Sequence, residues 1–146
     1  MSGSNSTRPW MEADEYGRSL TGLTINLLSR NLAAVREFHT AVLGAQELHF
    51  EPDFAAYQFA QAQWMLHADR TYANHPLAPM LEPVTPRGVG AELRLHGRDP
   101  DEATRIARSL GFTVLQDATD KPHGTREAFI LDADGYLWVP DLPTMA

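Results

Sequence analysis

Few side chains in this 146-residue protein can move a proton or hold a ligand, and their types narrow the chemistry. The histidines are His39, His49, His67, His75, His96 and His123. Imidazole titrates near neutrality, so each is a candidate acid or base. His67, at the end of the apolar run Trp64-Met65-Leu66, is the strongest of them, and Glu92 is the carboxylate that stands beside it as a candidate general base. His39 falls inside a helical repeat, where packing explains it, and His49, His75 and His96 fall at strand ends or loops, where solvent does. Asp132 and Asp134 form a carboxylate pair, but they flank an Asp-Gly hairpin turn that accounts for both. The chain has no cysteine, which excludes disulfides, zinc–thiolate sites and a thiol nucleophile. It also has no Gly-x-Ser-x-Gly elbow and no glycine-rich phosphate loop.

Charge and hydropathy exclude further classes. A net charge of −7 leaves no basic stripe for phosphates, which argues against nucleic acid and is compatible with a cationic small ligand. No apolar run reaches the length that crosses a bilayer, so no membrane association is expected. The first ten residues lack the apolar core of a signal peptide, and the expected location is the cytoplasm.

The elements that must position these side chains are written twice. Leu23, Ile25 and Leu27 alternate as a half-buried strand does, and Asn31 then caps a helix with Leu32, Val35, Phe38, Val42 and Leu43 on its apolar face. Gly44 stops that helix. Strands are expected at 45–50, 55–59 and 63–67. The plan repeats with Val89, Ala91, Leu93 and Leu95 on one face of a strand and Gly90, Glu92, Arg94 and His96 on the other. Asp99 and Pro100 then start a helix that runs to Gly111, and strands follow at 113–116, 127–131 and 136–140. Residues 1–20 read as a mobile leader that docks through Trp10 and Tyr16, 21–67 and 89–142 as two βαβββ modules, and 68–88, with Pro76, Pro79, Pro83 and Pro86, as a stiff connection. The fold class is α+β.

Two stretches resemble one family. Pro122-His-Gly-Thr-Arg126 with Phe129-Ile-Leu-Asp-Ala-Asp-Gly-Tyr-Leu-Trp138, and Val35-Arg-Glu-Phe-His-Thr-Ala-Val-Leu-Gly44, resemble the vicinal oxygen chelate superfamily of glyoxalases, bleomycin-resistance proteins and extradiol dioxygenases. His39 stands where the family usually carries an aromatic. The resemblance implies tandem βαβββ modules curled into an incomplete β-barrel around a cleft, and a homodimer. It also implies that catalytic members hold a divalent metal with His, Glu or Gln on the opening and closing strands of both modules. Here the opening strands present Thr24, Asn26 and Leu28, and Gly90, Glu92 and Arg94. The closing strands offer His67 and the run Leu137-Trp138-Val139-Pro140, with Asp141 a donor only if the register shifts.

Those residues supply too few donors for a metal, so no cofactor is expected and binding is the favoured function. Trp64 and Trp138, on matching closing strands, are placed to clamp a planar aromatic ligand, with Tyr57, Phe59 and Tyr136 nearby. Asn26, His67, Glu92, Arg94 and His123 are the polar groups that would orient it. Arg94 can instead pair with Glu92, and Arg126 is expected to pair with Glu127 or Asp132. The expectation is a metal-independent protein that sequesters a drug or aromatic metabolite. The alternatives are a metal-dependent lyase, isomerase or dioxygenase, and a cofactor-free enzyme with His67 or Glu92 as base.

Overall fold

The computed structural model describes residues 10–81 and 86–145. Two four-stranded sheets carry the fold, and they do not close into a barrel. In the first, β1 (Ile25–Ser29), β2 (Gln46–Glu51), β3 (Phe54–Phe59) and β4 (Ala62–Ala68) lie in the order β1-β4-β3-β2, with β1 parallel to β4. In the second, β5 (Leu93–His96), β6 (Thr113–Asp120), β7 (Thr125–Leu131) and β8 (Leu137–Pro143) repeat it as β5-β8-β7-β6. The α+β, twice-written architecture expected from the sequence is the one observed.

Local chemistry explains where the elements begin and end. Asn31 accepts a hydrogen bond from the Ala33 amide at 3.1 Å and so starts the helix α2 (Leu32–Glu37). The expected helix to Gly44 does not stay α. Phe38–Val42 widen into a π turn closed by the Leu43 amide on Phe38 O, and Phe38, His39 and Val42 are all buried. Gly44 then takes a φ of +67°, and a Cβ there would stand 3.3 Å from the Arg98 guanidinium. In the second module Asp99 accepts from the Asp101 and Glu102 amides at the start of α3 (Pro100–Ser109).

Strand bounds differ from expectation at the module openings. Leu23 is 88% exposed and β1 begins only at Ile25. Val89 and Ala91 belong to turns and not to a strand, because Gly88 and Gly90 take φ values of +71° and +102° that an extended chain does not use. In the described part of the first 20 residues Trp10 lies on His49 and Tyr16 meets Phe54. Ala13–Ser19 form a helix, α1, whose Tyr16 is buried. The connection at 68–88 carries 3₁₀ turns at Asp69–Tyr72 and Ala78–Met80, and Pro83 lies outside the described residues.

The helix-side faces of both sheets meet in one core. Leu27, Tyr57, Trp64 and Leu66 from the first module join Leu95, Ala107, Ile130 and Trp138 from the second. The Trp64 and Trp138 rings lie 5.2 Å apart, and Phe38 meets Phe112 edge-on at 5.0 Å. The polar seam between the modules centres on the β7–β8 turn. Asp132 Oδ1 accepts the amides of Asp134, Gly135 and Tyr136, each at 3.0 Å, while Oδ2 accepts Trp138 Nε1 at 3.1 Å. Asp134 reaches across, accepting from Ser29 Oγ at 2.6 Å and the Arg30 amide at 2.9 Å. Arg87 and Tyr136 both donate to Leu28 O at 2.9 Å.

These groups carry two expectations about stability. Asp132→Ala removes the acceptor of two buried donors, the Asp134 amide and Trp138 Nε1, and of the half-buried Tyr136 amide, while the Gly135 amide keeps Asp132 O, so urea unfolding should show a loss of at least about 2 kcal/mol, set by a cost of about 1–3 kcal/mol for each buried orphaned group. A loss below about 0.5 kcal/mol would mean the turn reorganises freely.

His39 is wholly buried, accepts from Trp64 Nε1 at 3.1 Å through Nδ1, and stacks on Tyr57 at 4.7 Å. Burial pushes its pKa down from 6.5 to about 3. The unfolded chain therefore binds a proton the folded chain refuses, and stability falls as pH drops from 6.5 towards 3. His39→Phe should flatten the acid limb by about 1.4 kcal/mol per pH unit relative to the parent, read from urea titrations across that window.

Candidate functional site

Because the helix-side faces are filled, chemistry is left to the opposite, concave faces. On β4 the alternation sends Trp64 and Leu66 into the core and Met65 and His67 the other way. Phe54 on β3 pairs in register with His67, and their rings stand 5.0 Å apart. His49 and Glu51 on β2 complete the strand wall. Trp10, Met11, Glu12 and Tyr16, from α1 and the residues before it, close the opposite side. Together they bound a cavity of about 480 Å³. Its size falls within the range of small-molecule pockets.

His67 is held by a short relay. Its Nδ1 stands 2.7 Å from Asn26 Oδ1, and Asn26 Nδ2 donates to Tyr72 Oη at 2.7 Å. Burial lowers the His67 pKa below the ordinary imidazole value, so the ring is neutral near pH 7. A neutral ring bonded this way carries its proton on Nδ1 and keeps the Nε2 lone pair. Tyr72 in turn packs on His75 at 4.5 Å.

The second sheet has a different concave face. Arg94 donates to Glu92 at 2.8 Å, to Glu127 at 2.5 Å and to Asp141 at 3.5 Å. His96 meets Asp141 at 2.9 Å, and His123 and Thr125 meet Glu127 at 3.2 and 2.7 Å. Burial raises the Glu127 pKa, but the bonds from Thr125, His123 and Arg94 outweigh it and hold the carboxyl at about 2. None of these side chains lines the cavity over the first sheet.

The structure therefore divides the residues singled out from sequence. Asn26 and His67 come together at the cavity. Glu92 does not join them, because its strand starts one residue later and its exposed carboxylate serves as a rim partner of Arg94. Trp64 and Trp138 are buried against each other, leaving no gap for a ring between them. Tyr57 is 1% exposed and donates to Glu47 at 3.1 Å, which, after burial itself, raises the pKa of its phenol. Phe59 packs at the edge of the core, and His123 is an exposed partner of Glu127. Arg126 pairs with Asp101 and Asp120, not with Glu127 or Asp132, because its side chain leaves β7 towards α3 and β6.

Several residues escaped sequence reasoning. Phe54 and Met65 were accessible in principle, since each lies an even number of residues from a cavity neighbour on its own strand or opposite it in the ladder. His49 and Glu51 are on the far strand beyond a bulge between residues 47 and 49, which shifts the alternation. Trp10, Glu12 and Tyr16 carry no periodic signal that assigns them to this face.

On the strands where the resemblance leads one to expect metal ligands, β1 and β4 present Asn26 and His67, while β5 and β8 present Arg94 and Asp141. A guanidinium at one of them, and an aspartate already bonded to it, do not fit a divalent-cation site. Among the described residues no group of three or more His, Asp or Glu side chains is placed to hold a metal ion.

The family model for the glyoxalase/bleomycin resistance protein/dioxygenase superfamily matches residues 23–139, and the chain belongs to that superfamily. No curated protein sequence matches it significantly. Among solved structures it is similar to a glyoxalase/bleomycin resistance protein/dioxygenase family enzyme from Burkholderia phytofirmans PsJN, at 19% identity and a TM-score of 0.70, over 83% of this chain and 97% of that one. It is similar to TioX from Micromonospora sp. ML1, at 19% identity and a TM-score of 0.60, over 86% of this chain and all of the other. It is also similar to the fosfomycin resistance protein FosX from Mesorhizobium loti, at 13% identity and a TM-score of 0.60, over 86% and 95%. At these identities the likeness is one of fold.

The relay makes a prediction about His67. Asn26→Asp places a carboxylate 2.7 Å from Nδ1, favouring the charged imidazole, so the His67 pKa should rise above its parent value in an NMR titration. Nitrogen shifts of the parent should report the Nδ1–H tautomer. A proton on Nε2 instead would mean that the Asn26 amide is reversed and donates to the ring.

Proposed function

We propose that this chain is a metal-independent binding protein for a small aromatic molecule, a drug or a metabolite, held over the concave face of the first sheet. The observation that carries this reading is the cavity of about 480 Å³ with Trp10, Tyr16, His49, Phe54 and His67 among its lining residues. Ring faces favour a flat apolar ligand, and stacking contributes about 0.5–1.5 kcal/mol per pair beyond burial. Sequestration in the manner of bleomycin-resistance proteins fits a cavity whose described lining is mostly aromatic and apolar. The fosfomycin resistance protein shares the fold, which supports such a role by analogy alone.

A second reading follows from the neutral His67. Its Nε2 lone pair, in a ring oriented by Asn26, is the form of imidazole that abstracts a proton, and a cofactor-free enzyme would use it so.

One set of measurements separates these readings. Aromatic candidates titrated into the protein should quench its fluorescence saturably, with Trp10 the responding ring since Trp64 and Trp138 are buried. Phe54→Ala should weaken binding about tenfold. The bound compound should be recovered unchanged and without hydrogen exchanged from heavy water. Exchange abolished by His67→Gln, with binding retained, would establish the base reading instead. Metal in stoichiometric amount, lost on His67→Ala, would overturn both.

A further inference from the structure

The cavity has walls of two origins. His49, Glu51, Phe54, Met65 and His67 lie within the family domain, whereas Trp10, Glu12 and Tyr16 precede it. We propose that this N-terminal arm is a working wall of the site and that, with Glu51, it selects a flat organic cation; the proposal rests on the binding function above.

The arm is seated by rings. Trp10 stacks on His49 with centroids 5.7 Å apart and 22° between planes, and its edge meets Tyr16 at 4.7 Å. Tyr16 stands edge-on to Phe54 at 5.8 Å. These contacts reach the strand wall from one side and leave the cavity between arm and sheet. Tyr16 is 7% exposed, yet its buried hydroxyl has no hydrogen-bond partner among the described residues while its ring lines the cavity.

Charge gives the ligand its sign. Among the described residues the lining includes Glu12 and Glu51 and no lysine or arginine. Glu51 bonds His49 Nε2 at 2.9 Å, which fixes the carboxylate at the rim beside the ring on which Trp10 lies. A delocalised cation gains twice here, from the negative faces of the aromatic rings and from the carboxylates. An anion of the same shape meets both as repulsion.

The test uses the full-length protein and three bicyclic probes of similar size: 1-methylquinolinium, quinoline at a pH where it is neutral, and 2-naphthoate. Titration calorimetry should give the cation an affinity at least about tenfold above the anion. Glu12→Gln combined with Glu51→Gln should remove that gap and leave quinoline nearly unchanged. Trp10→Ala should weaken all three, and unchanged thermal unfolding would show that the loss is local. Naphthoate binding as well as the cation, or affinities indifferent to Trp10→Ala, would overturn the proposal. Quinoline and naphthoate binding that Phe54→Ala weakens, without a cation advantage, would leave the binding function standing and this inference refuted. No probe bound at millimolar concentration would remove both.

Discussion

The Asp132-Ala133-Asp134-Gly135 turn is the constraint on which the two-module arrangement depends. One carboxylate closes the turn on itself and anchors Trp138, and the other takes the Ser29 hydroxyl and the Arg30 amide at the end of β1. A buried carboxylate is expensive unless donors surround it, and here burial pushes the Asp132 carboxyl up to about 6 in spite of those donors. That cost is tolerated because the bonds lock β8 to β1 and so decide which faces of the sheets meet. Arg87 reinforces the seam by pairing with Asp69 through both nitrogens while it donates to Leu28 O.

Once those faces meet, the aromatic residues are spent on the core. Trp64, Trp138, Tyr57 and His39 form one cluster of rings, with His39 stacked on Tyr57 and edge-on to Trp138, and His39 fits as a neutral acceptor for Trp64. The π turn belongs to the same solution, since its wider backbone keeps Phe38, His39 and Val42 inside together. A ligand therefore has no access from the helix side. The concave faces remain, and the two differ sharply: one is an aromatic cavity over the first sheet, the other a network of compensated charges on the second.

Much of this was legible in the sequence because period and capping report it directly. The Asn31 and Asp99 caps, the stripe at Ala103 and Ala107, and the Asp-Gly turn all act locally. The repeat adds topology, since a βαβββ unit has few ways to pack. The site was legible only in part. Asn26 and His67 share a face by simple alternation, and sequence reasoning reached both. The same reasoning placed Trp64 and Trp138 in a clamp, because strand position says nothing about which side of a sheet a neighbouring module will cover. Glu92 failed for a related reason: glycines at 88 and 90 delay the strand, and the carboxylate stays at the rim. For the arm the docking rings Trp10 and Tyr16 were legible and the surface they meet was not, as no local signal tells a seven-residue helix where to dock.

Arg94 sets the electrostatics of the second sheet. Its guanidinium, on β5, sits between Glu127 and Asp141, both nearly inaccessible to solvent. A divalent ion brought to Asp141 would face that fixed positive charge in a poorly solvated setting, where repulsion is weakly screened. Removing the arginine would not clear the site, because it would leave two buried carboxylates without their counter-charge. On the first sheet Asn26 is committed to His67 and Tyr72. The polar groups on these faces of both sheets are thus committed to one another. The residues lining the cavity over the first sheet stand apart from the charge network of the second, so the two faces can vary independently.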